Sequence, residues 1–480
     1  MFEHIWCEDN MGYEKDGAFV EKITAVVPSE RQYAHMKRKY YNFIHFGMNT
    51  VTGKEWGDGT VPPSTFNPQQ LDTDQWCEVL KRTGSTGIIL TAKHHDGFCL
   101  WDTKTTDYNV MNSPFGRDIV KMLSESCQKY GLDLGIYISP WDRHEPTYGS
   151  EAYNDFYVRQ LTELATNYGE IFTFWFDGAC GEGPNGKKQR YDFPRYYAVL
   201  RELQPNACLA ICGPDIRWIG NEGGHVRESE WSVVPAPVVS AEEVADKSQK
   251  TNDGGAAIQQ ISSEQQDLGS RDFLRNFDSF RFSPAECDVS VNLAWFWHDD
   301  DYYKGKKQRT SEDIARIYMN TVGGNALLLL NVPPNDQGLI GQREIALLTG
   351  FKAIIDKKFA KPVTPLRAEI LSTDGALRPA PGLLTDAGEA FGDTDHAVVL
   401  TLPEGQQVSL LTAEEELRHS QRVERFELYS QSAEKTERLY EGTVIGSGKF
   451  CEFSAQGEKL ILNIMQSRGA PHLKNIQLYE

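Results

Sequence analysis

Between about residue 40 and about residue 355, short apolar runs alternate with segments whose apolar residues recur every three or four positions. The short runs fall at 41–46, 87–92, 132–138, 171–176, 208–212, 289–294 and 326–331. They are rich in Ile, Val, Phe and Tyr and lack a clean two-residue alternation, the pattern of strands buried on both faces. Helical spacing predicts helices over 71–82, 119–130, 156–167, 196–203, 314–322 and 340–357, several following Ser, Thr or Asp, with stops at Gly131 and Gly169. Strand and helix alternating at this length imply a parallel sheet. Seven strands are visible, and an eighth around 226–233 would close an α/β fold of the (β/α)8 TIM-like barrel type. A doubly wound open sheet is the alternative, but no glycine-rich phosphate loop opens the first helix. After Pro362 and Pro365 the pattern changes to short β-like runs at 397–402, 408–411, 423–428 and 460–464. These predict a smaller C-terminal β-sandwich. The expected division is a barrel domain over 1–358 and a sandwich domain over 359–480.

Composition narrows the class of function. Of the 480 residues 40% are hydrophobic and 24% charged, as in globular proteins that bury an ordinary core. The formal net charge of −19 disfavours nucleic acid and anionic membranes as partners and suits a neutral substrate, although solubility alone accounts for most of it. The nine cysteines form no CxxC pair, and no Cys/His spacing supports zinc, so reduced and mostly buried thiols are expected. The first sixteen residues lack the basic-then-apolar order of a signal peptide, and no apolar run is long enough to span a bilayer. As the sequence stands the expected compartment is the cytoplasm, with secretion or a periplasmic location if a leader was removed.

In a (β/α) barrel the chemistry sits at the C-terminal ends of the strands. There the sequence places His45, Glu55 and Trp56; His94, His95, Asp96 and Trp101; Tyr137, Trp141, Asp142 and Arg143; Trp175 and Asp177; Asp215, Arg217, Trp218 and Glu222; and Trp295, Trp297 and His298. Each alone has an ordinary reading. An Asp after a strand is commonly a helix N-cap, and a strand-end Trp is usually packing. Two adjacent His on an extended chain point to opposite sides, so at most one of His94 and His95 faces inward unless the strand has ended or bulged. The combination says more. Aromatic faces with neutral hydrogen-bonding groups suit a sugar ring, and two carboxyl groups on nearby strand ends suit glycoside hydrolysis. The competing reading is a metal site made from His45, His94, His95 and Asp177. It ranks lower because it leaves the Trp residues unexplained.

The stretches YYNFIHFGMNTVTGKEWGDG, ILTAKHHDGFCLWDTKTTDYNV, GIYISPWDRHEPTYG, FTFWFDGACGEGPNGKKQRYDF, GPDIRWIGNEGG, AWFWHDDD and NALLLLNVPPNDQGLI follow one another from about residue 30 to about residue 360. In this order they resemble the α-L-fucosidases of glycoside hydrolase family 29. The resemblance implies a retaining mechanism on a fucosylated oligosaccharide, with no metal and no cofactor. It maps the nucleophile onto Asp177 and pocket residues onto His45, Glu55, His94, His95, Tyr137 and Trp175. Trp56, Trp141 and Arg217 join them as expected substrate contacts. The HHDGF, WDRH and NEGG forms resemble the branch that prefers α-1,3- or α-1,4-linked fucose in Lewis-type glycans. That branch maps the acid/base onto Glu222, with Glu228 and Glu230 as rivals. A pocket aromatic is expected from AWFWH, with Trp297 favoured slightly over Trp295. Trp141, Asp142 and Arg143 are expected to read the aglycone, the alternative being that WDRH packs the loop with Arg143 as a structural ion-pair partner. Cys180 departs from what relatives often carry beside the nucleophile.

Overall fold

The apolar runs become eight parallel strands: β1 (Tyr40–Ile44), β2 (Gly87–Lys93), β3 (Asp133–Ile138), β4 (Ile171–Phe176), β5 (Cys208–Ile211), β6 (Arg217–Trp218), β7 (Ala285–Ser290) and β8 (Ala326–Asn331). The computed structural model of the chain describes residues 17–236, 265–433 and 435–480. The strands form one sheet in the order β5-β4-β3-β2-β1-β8-β7-β6. Its two ends meet at a parallel bridge between Ala210 and Ile216, where the Ile211 N–H donates to Ile216 O at 3.0 Å. The sheet is therefore a nearly closed barrel.

Every residue of β1, β2, β4 and β5 is buried, which explains the missing alternation. One set of side chains, including Tyr41, Phe43, Ile89, Tyr137, Trp175 and Leu329, fills the barrel interior. The other, including Ile44, Leu90, Ile136 and Leu330, packs outward in the larger core that the helices complete. The predicted helices form at Thr73–Arg82, Ile119–Tyr130, Glu151–Asn167, Phe193–Leu203, Ser311–Val322 and Gln342–Lys358. Their ends follow capping chemistry. The Asp72 carboxylate accepts from the N–H groups of Asp74 and Gln75, and Gly131 ends the second of these helices at φ 63°.

Two strands differ from the sequence reading. The closing strand is Arg217–Trp218, not a segment at 226–233, and Val233–Pro235 instead pairs antiparallel with Phe280–Phe282 outside the barrel. A two-residue strand reached from β5 without a helix has too few positions to show any period. The strand expected at 289–294 starts earlier, at Ala285, because Glu286 and Asp288 interrupt its apolar run. Both carboxyl groups are buried and satisfied by hydrogen bonds, so the strand tolerates them.

Beyond the barrel, six antiparallel strands built around Arg367–Ser372, Asp395–Thr401, Lys459–Ser467 and Val423–Gln431 face a second sheet that includes Gln407–Glu415, Lys449–Gln456 and His472–Tyr479. Ile370, Leu411, Phe426, Leu462 and Leu478 lie in the core between them. This is the expected sandwich. Eight of the nine cysteines lie among the described residues and all eight are buried thiols; Cys7 lies outside the described residues. Among the described residues no helix is long and apolar enough to cross a membrane.

The sandwich is stitched to the barrel where β8 begins. Asn325 adopts φ 63°, its Nδ2 donates to Glu230 O at 2.8 Å, and its Oδ1 accepts from the Ser447 N–H at 2.6 Å and from Ser447 Oγ at 2.9 Å. An Ala here loses the buried bonds and keeps a left-handed backbone. Asn325→Ala is expected to lower unfolding stability by about 3 kcal/mol, read from urea denaturation. Asn325→Gly should recover about 1 kcal/mol of that by relieving the backbone alone.

Candidate active site

The residues that follow the strands converge on the C-terminal mouth of the barrel. Tyr137 and Trp175 form its floor, their rings stacked with centroids 5.3 Å apart. Beneath them the buried Glu286 carboxylate accepts from Trp175 Nε1–H at 2.7 Å and from the Tyr41 hydroxyl. A carboxylate inside a barrel therefore sets the plane of the Trp175 indole.

Asp177 lies one residue past β4. Its Oδ2 accepts from the Tyr137 hydroxyl at 2.9 Å and its Oδ1 from the Ala179 N–H at 2.8 Å. The helix-cap alternative does not apply, because the next helix is capped by Asp192, which accepts from the Arg195 N–H at 3.2 Å. Tyr137 is buried and Asp177 remains partly open, so one face of the carboxylate is available to a ligand.

The two adjacent histidines both face this cluster. Strand β2 ends at Lys93 and its register against β3 shifts between Thr91 and Lys93, so the alternation rule has lapsed by His94. The rings of His94 and His95 lie with centroids 4.0 Å apart. His95 Nε2 is 3.8 Å from Asp177 Oδ2, and His95 Nδ1 is 2.7 Å from Ser139 Oγ. His94 Nδ1 is 3.0 Å from Asn49 Nδ2, and His45 Nδ1 is 2.9 Å from Asn331 Oδ1. All three rings are buried. Loss of hydration pushes the His45 imidazole down to about 3 and the His95 imidazole down to about 4, and it lowers His94 well below the ordinary value. Among the described residues His94, His95 and Asp177 offer ligand atoms within 4.8 Å of one another and could hold a divalent ion; His45, part of the expected metal set, is not in this group.

The wall opposite is built by Glu55. Its carboxylate accepts from the backbone N–H groups of Trp295 at 2.8 Å and Phe296 at 3.2 Å, and His298 Nε2 lies at 2.8 Å. This grip places Trp295 over His45, centroids 5.1 Å apart. Trp295 Nε1–H then donates to Glu222 Oε2 at 3.2 Å. The Glu222 carboxyl is raised above its ordinary value by partial loss of hydration and by the negative charges of Asp177 and Glu55, with the Trp295 N–H acting against the shift. Trp56 stands at the rim, 48% exposed, edge-on to His95 and to Trp141 at 5.4 Å each.

Several expected residues lie elsewhere. Arg217 is fully buried and bound to Glu230 and to Trp231 O, so it holds β6 in place and is not open to a ligand. That ion pair also removes Glu230 as an acid/base. Glu228 is exposed at the sandwich seam, its carbonyl accepting from Thr443 Oγ1. Trp295, not Trp297, stacks in the cluster. Asp142 cannot reach a sugar: it is buried against Lys93 Nζ at 2.9 Å and caps the turn at His144 and Glu145. Arg143 donates to Gly57 O at 2.6 Å and lies over the Trp141 ring. Asp215 pairs with Arg31 and Arg201, Trp101 donates to Glu163, and Asp96, pushed up to about 7 by burial, accepts from the Phe98 N–H. The sequence reading missed Asn49, Ser139, Asn331 and Asp288. Asn331 ends an apolar strand and Ser139 follows one directly, so both were visible as strand-end residues; Asn49 and Asp288 carry no local signal.

The α-L-fucosidase family model matches residues 2–356. The chain is 34% identical to Alpha-L-fucosidase 1 of Arabidopsis thaliana over 471 residues, 94% of this chain and 87% of that one. It is 33% identical to the putative alpha-L-fucosidase 1 of Oryza sativa subsp. japonica, covering 93% and 83%. Among solved structures it superposes on a putative alpha-L-fucosidase from Bacteroides ovatus with a TM-score of 0.83 at 37% identity, over 96% of this chain and 75% of that one. A Ruminococcus gnavus family 29 fucosidase in complex with fucose gives 0.77 at 27% identity, over 95% of each chain.

Two outcomes follow from the geometry. Glu55→Gln weakens the grip on Trp295 and is expected to lower kcat/KM about 100-fold, the cost of a misplacement near 1 Å, with circular dichroism unchanged. The histidines predict an acid-side loss of stability. Unfolded, each ring takes up a proton below about pH 6.5, whereas folded His95 and His45 do so only near 4 and 3. The unfolded state thus binds more protons in that window, and stability falls as pH drops through it, by about 1.4 kcal/mol per pH unit per ring. Asp96, raised to about 7, titrates in the opposite sense over this range, so the histidine share is read by difference: wild-type stability should fall relative to His45→Gln as pH drops from 6.5 to 5 in urea denaturation.

Proposed function

The chain belongs to the α-L-fucosidase family of glycoside hydrolases, and on that premise we propose that it removes terminal fucose with retention, through a covalent fucosyl-enzyme. Asp177 attacks the anomeric carbon. Glu222 donates its proton to the leaving oxygen and then accepts one from water. The observation that carries this reading is the contrast between the two carboxyl groups. Asp177 is fixed by two donors on two different oxygens, while Glu222 is exposed at the mouth, holds only the Trp295 N–H among the described residues and has its carboxyl shifted upward, the direction a proton donor needs. Of the three candidate acids, only Glu222 contacts the aromatic cluster. His45, His94 and His95 bind sugar hydroxyls, and the aromatic faces receive the ring and the methyl group that fucose carries in place of a hydroxymethyl. The catalytic unit is the barrel domain, 1–358, and the sandwich domain is 359–480.

The preferred linkage in this reading is α-1,3 or α-1,4 within Lewis-type glycans. Support comes from the HHDGF, WDRH and NEGG forms and from the space beyond Glu222. There a cavity of about 240 Å³ is lined by Gly223, Gly224, His225, Leu293 and Arg309. It lies beside both segments that meet at the Glu222–Trp295 hydrogen bond and extends along the helix Ser311–Val322 at Ile317 and Asn320; on this reading it would receive the leaving sugar. Since Asp142 and Arg143 are committed to the protein itself, this cavity replaces them as the expected aglycone site.

A metal-dependent hydrolase is the second reading, favoured by the close approach of His94, His95 and Asp177. Prolonged chelation followed by assay separates the two. Fucosidase turnover should survive it, and elemental analysis should find no stoichiometric zinc, iron or manganese.

Asp177→Ala is expected to lower kcat by on the order of ten-thousand-fold with the fold intact, and azide should restore part of the activity on nitrophenyl fucoside. Near-normal turnover would remove Asp177 from its role. Glu222→Gln should cost much less on nitrophenyl fucoside, whose leaving group needs little protonation, than on a Lewis trisaccharide. Lewis a or Lewis x should be cleaved in preference to 2′-fucosyllactose, because contacts to further sugars add to transition-state binding. Arg143→Ala should lower activity equally on simple and branched substrates.

A further inference from the structure

We propose that Asn49, Ser139 and Asn331 are positioning residues that dictate where the three pocket imidazoles carry their protons, so that His94 presents an N–H donor at Nε2 while His45 and His95 present bare Nε2 acceptors. The inference rests on the fucosidase reading only for what the rings bind. The proton positions follow from the hydrogen-bond network alone.

Each partner is anchored by a backbone carbonyl, which can only accept. Asn49 Nδ2 lies 2.9 Å from Glu55 O, so that atom must be the amide nitrogen. Its second hydrogen points to His94 Nδ1 at 3.0 Å, so Nδ1 must be the acceptor and the proton of the neutral ring sits on Nε2. The opposite amide orientation would set an oxygen against Glu55 O. Ser139 gives its single hydroxyl hydrogen to Trp141 O at 2.7 Å. Only lone pairs remain for His95 Nδ1 at 2.7 Å, so His95 must carry its proton there and leave Nε2 bare. Asn331 Nδ2 donates to Trp295 O at 2.8 Å and to Ser290 Oγ at 2.9 Å, which identifies the other atom as Oδ1. That oxygen accepts both the His45 N–H at 3.3 Å and His45 Nδ1–H at 2.9 Å, leaving His45 Nε2 bare.

The rings are therefore not interchangeable. A sugar hydroxyl donates to His45 or His95 and accepts from His94. His95 Nε2 and Asp177 Oδ2, which already accepts from the Tyr137 hydroxyl, then face each other as acceptors 3.8 Å apart, a place suited to a donor from the ligand. The mixed pattern orients hydroxyl hydrogens around the ring, which three rings of one tautomer could not do. It also leaves His94 Nε2 protonated, and a protonated nitrogen has no lone pair for a metal.

Long-range 1H–15N correlation on ligand-free protein labelled at histidine reads the proton positions directly, with resonances assigned by single His→Gln variants. At pH 7.5 His94 should show a bare Nδ1 and a protonated Nε2, and His45 and His95 the reverse. A protonated Nδ1 on His94, or a bare Nδ1 on His45 or His95, overturns the proposal whatever the activity. Asn49→Ala removes the donor that faces His94 Nδ1. It should let that proton reach Nδ1 and lower kcat/KM on nitrophenyl fucoside by about 10- to 100-fold, the cost found when a partner that orients a functional His is lost. A moved proton with unchanged kinetics also overturns it. Ser139→Ala should lower kcat/KM, and Ser139→Thr, which keeps the hydroxyl, should recover it. If the wild-type protein cleaves no fucoside, the fucosidase reading falls, and the ring-nitrogen spectrum still decides the proton positions.

Discussion

At the end of β8 the Asn331 carboxamide makes four hydrogen bonds: its oxygen accepts from the backbone N–H and ring Nδ1 of His45, and its nitrogen donates to Ser290 Oγ and Trp295 O. One buried amide thereby joins the end of β1, the end of β7 and the loop that carries Trp295. The barrel strands are mostly apolar and their few buried polar groups are already hydrogen-bonded, so a buried amide with its full complement of bonds constrains every group it touches. Remove it and His45, Trp295 and, through Trp295, Glu222 all lose their reference point. Glu55 closes the same loop from the other side, by its grip on the backbone of Trp295 and Phe296.

The acidic residues of the barrel divide by surroundings. Glu286 and Asp288 sit inside on β7 and are used up holding indoles, Trp175 by one and Trp218 by the other. Burial and the charge of Glu222 push the Asp288 carboxyl well above its ordinary value. Asp177 and Glu222 lie at the mouth, where one oxygen or one face remains open. Glu230 is consumed by Arg217 and Arg227. Identical side chains are therefore committed to neighbours or left open to a ligand according to whether their hydrogen-bonding capacity is already filled.

Much of this was legible in the residues. The helices from Thr73 to Lys358, the long strands, the sandwich and the positions of His45, His94, His95, Tyr137, Trp175 and Asp177 at strand ends follow from periodicity and from the rule that barrel chemistry sits at the C-terminal face. Arg217 read as a pocket residue because it follows a strand. It proved to be inside one, and a two-residue strand leaves no pattern. Trp297 and Trp295 could not be separated, since the loop that holds them is set by Glu55, 240 residues earlier in the chain. Asp142 looked available because nothing in WDRH shows that Lys93 lies behind it.

Sequence alone determined what is local or periodic: which segments are strands and helices, that the sheet is parallel and buried on both faces, and that polar groups gather at one end of it. These depend on side-chain spacing and on the cost of exposing apolar surface, both readable a few residues at a time. Tertiary structure alone decided which carboxyl groups are spent on neighbours and which stay open, which Trp faces the pocket, and how adjacent histidines escape the strand alternation through the register shift before His94. Those outcomes depend on partners brought together from distant parts of the chain, such as Asn49 with His94 or Asn331 with His45. A buried polar group acquires its role only when the partner that fills its hydrogen bonds is known.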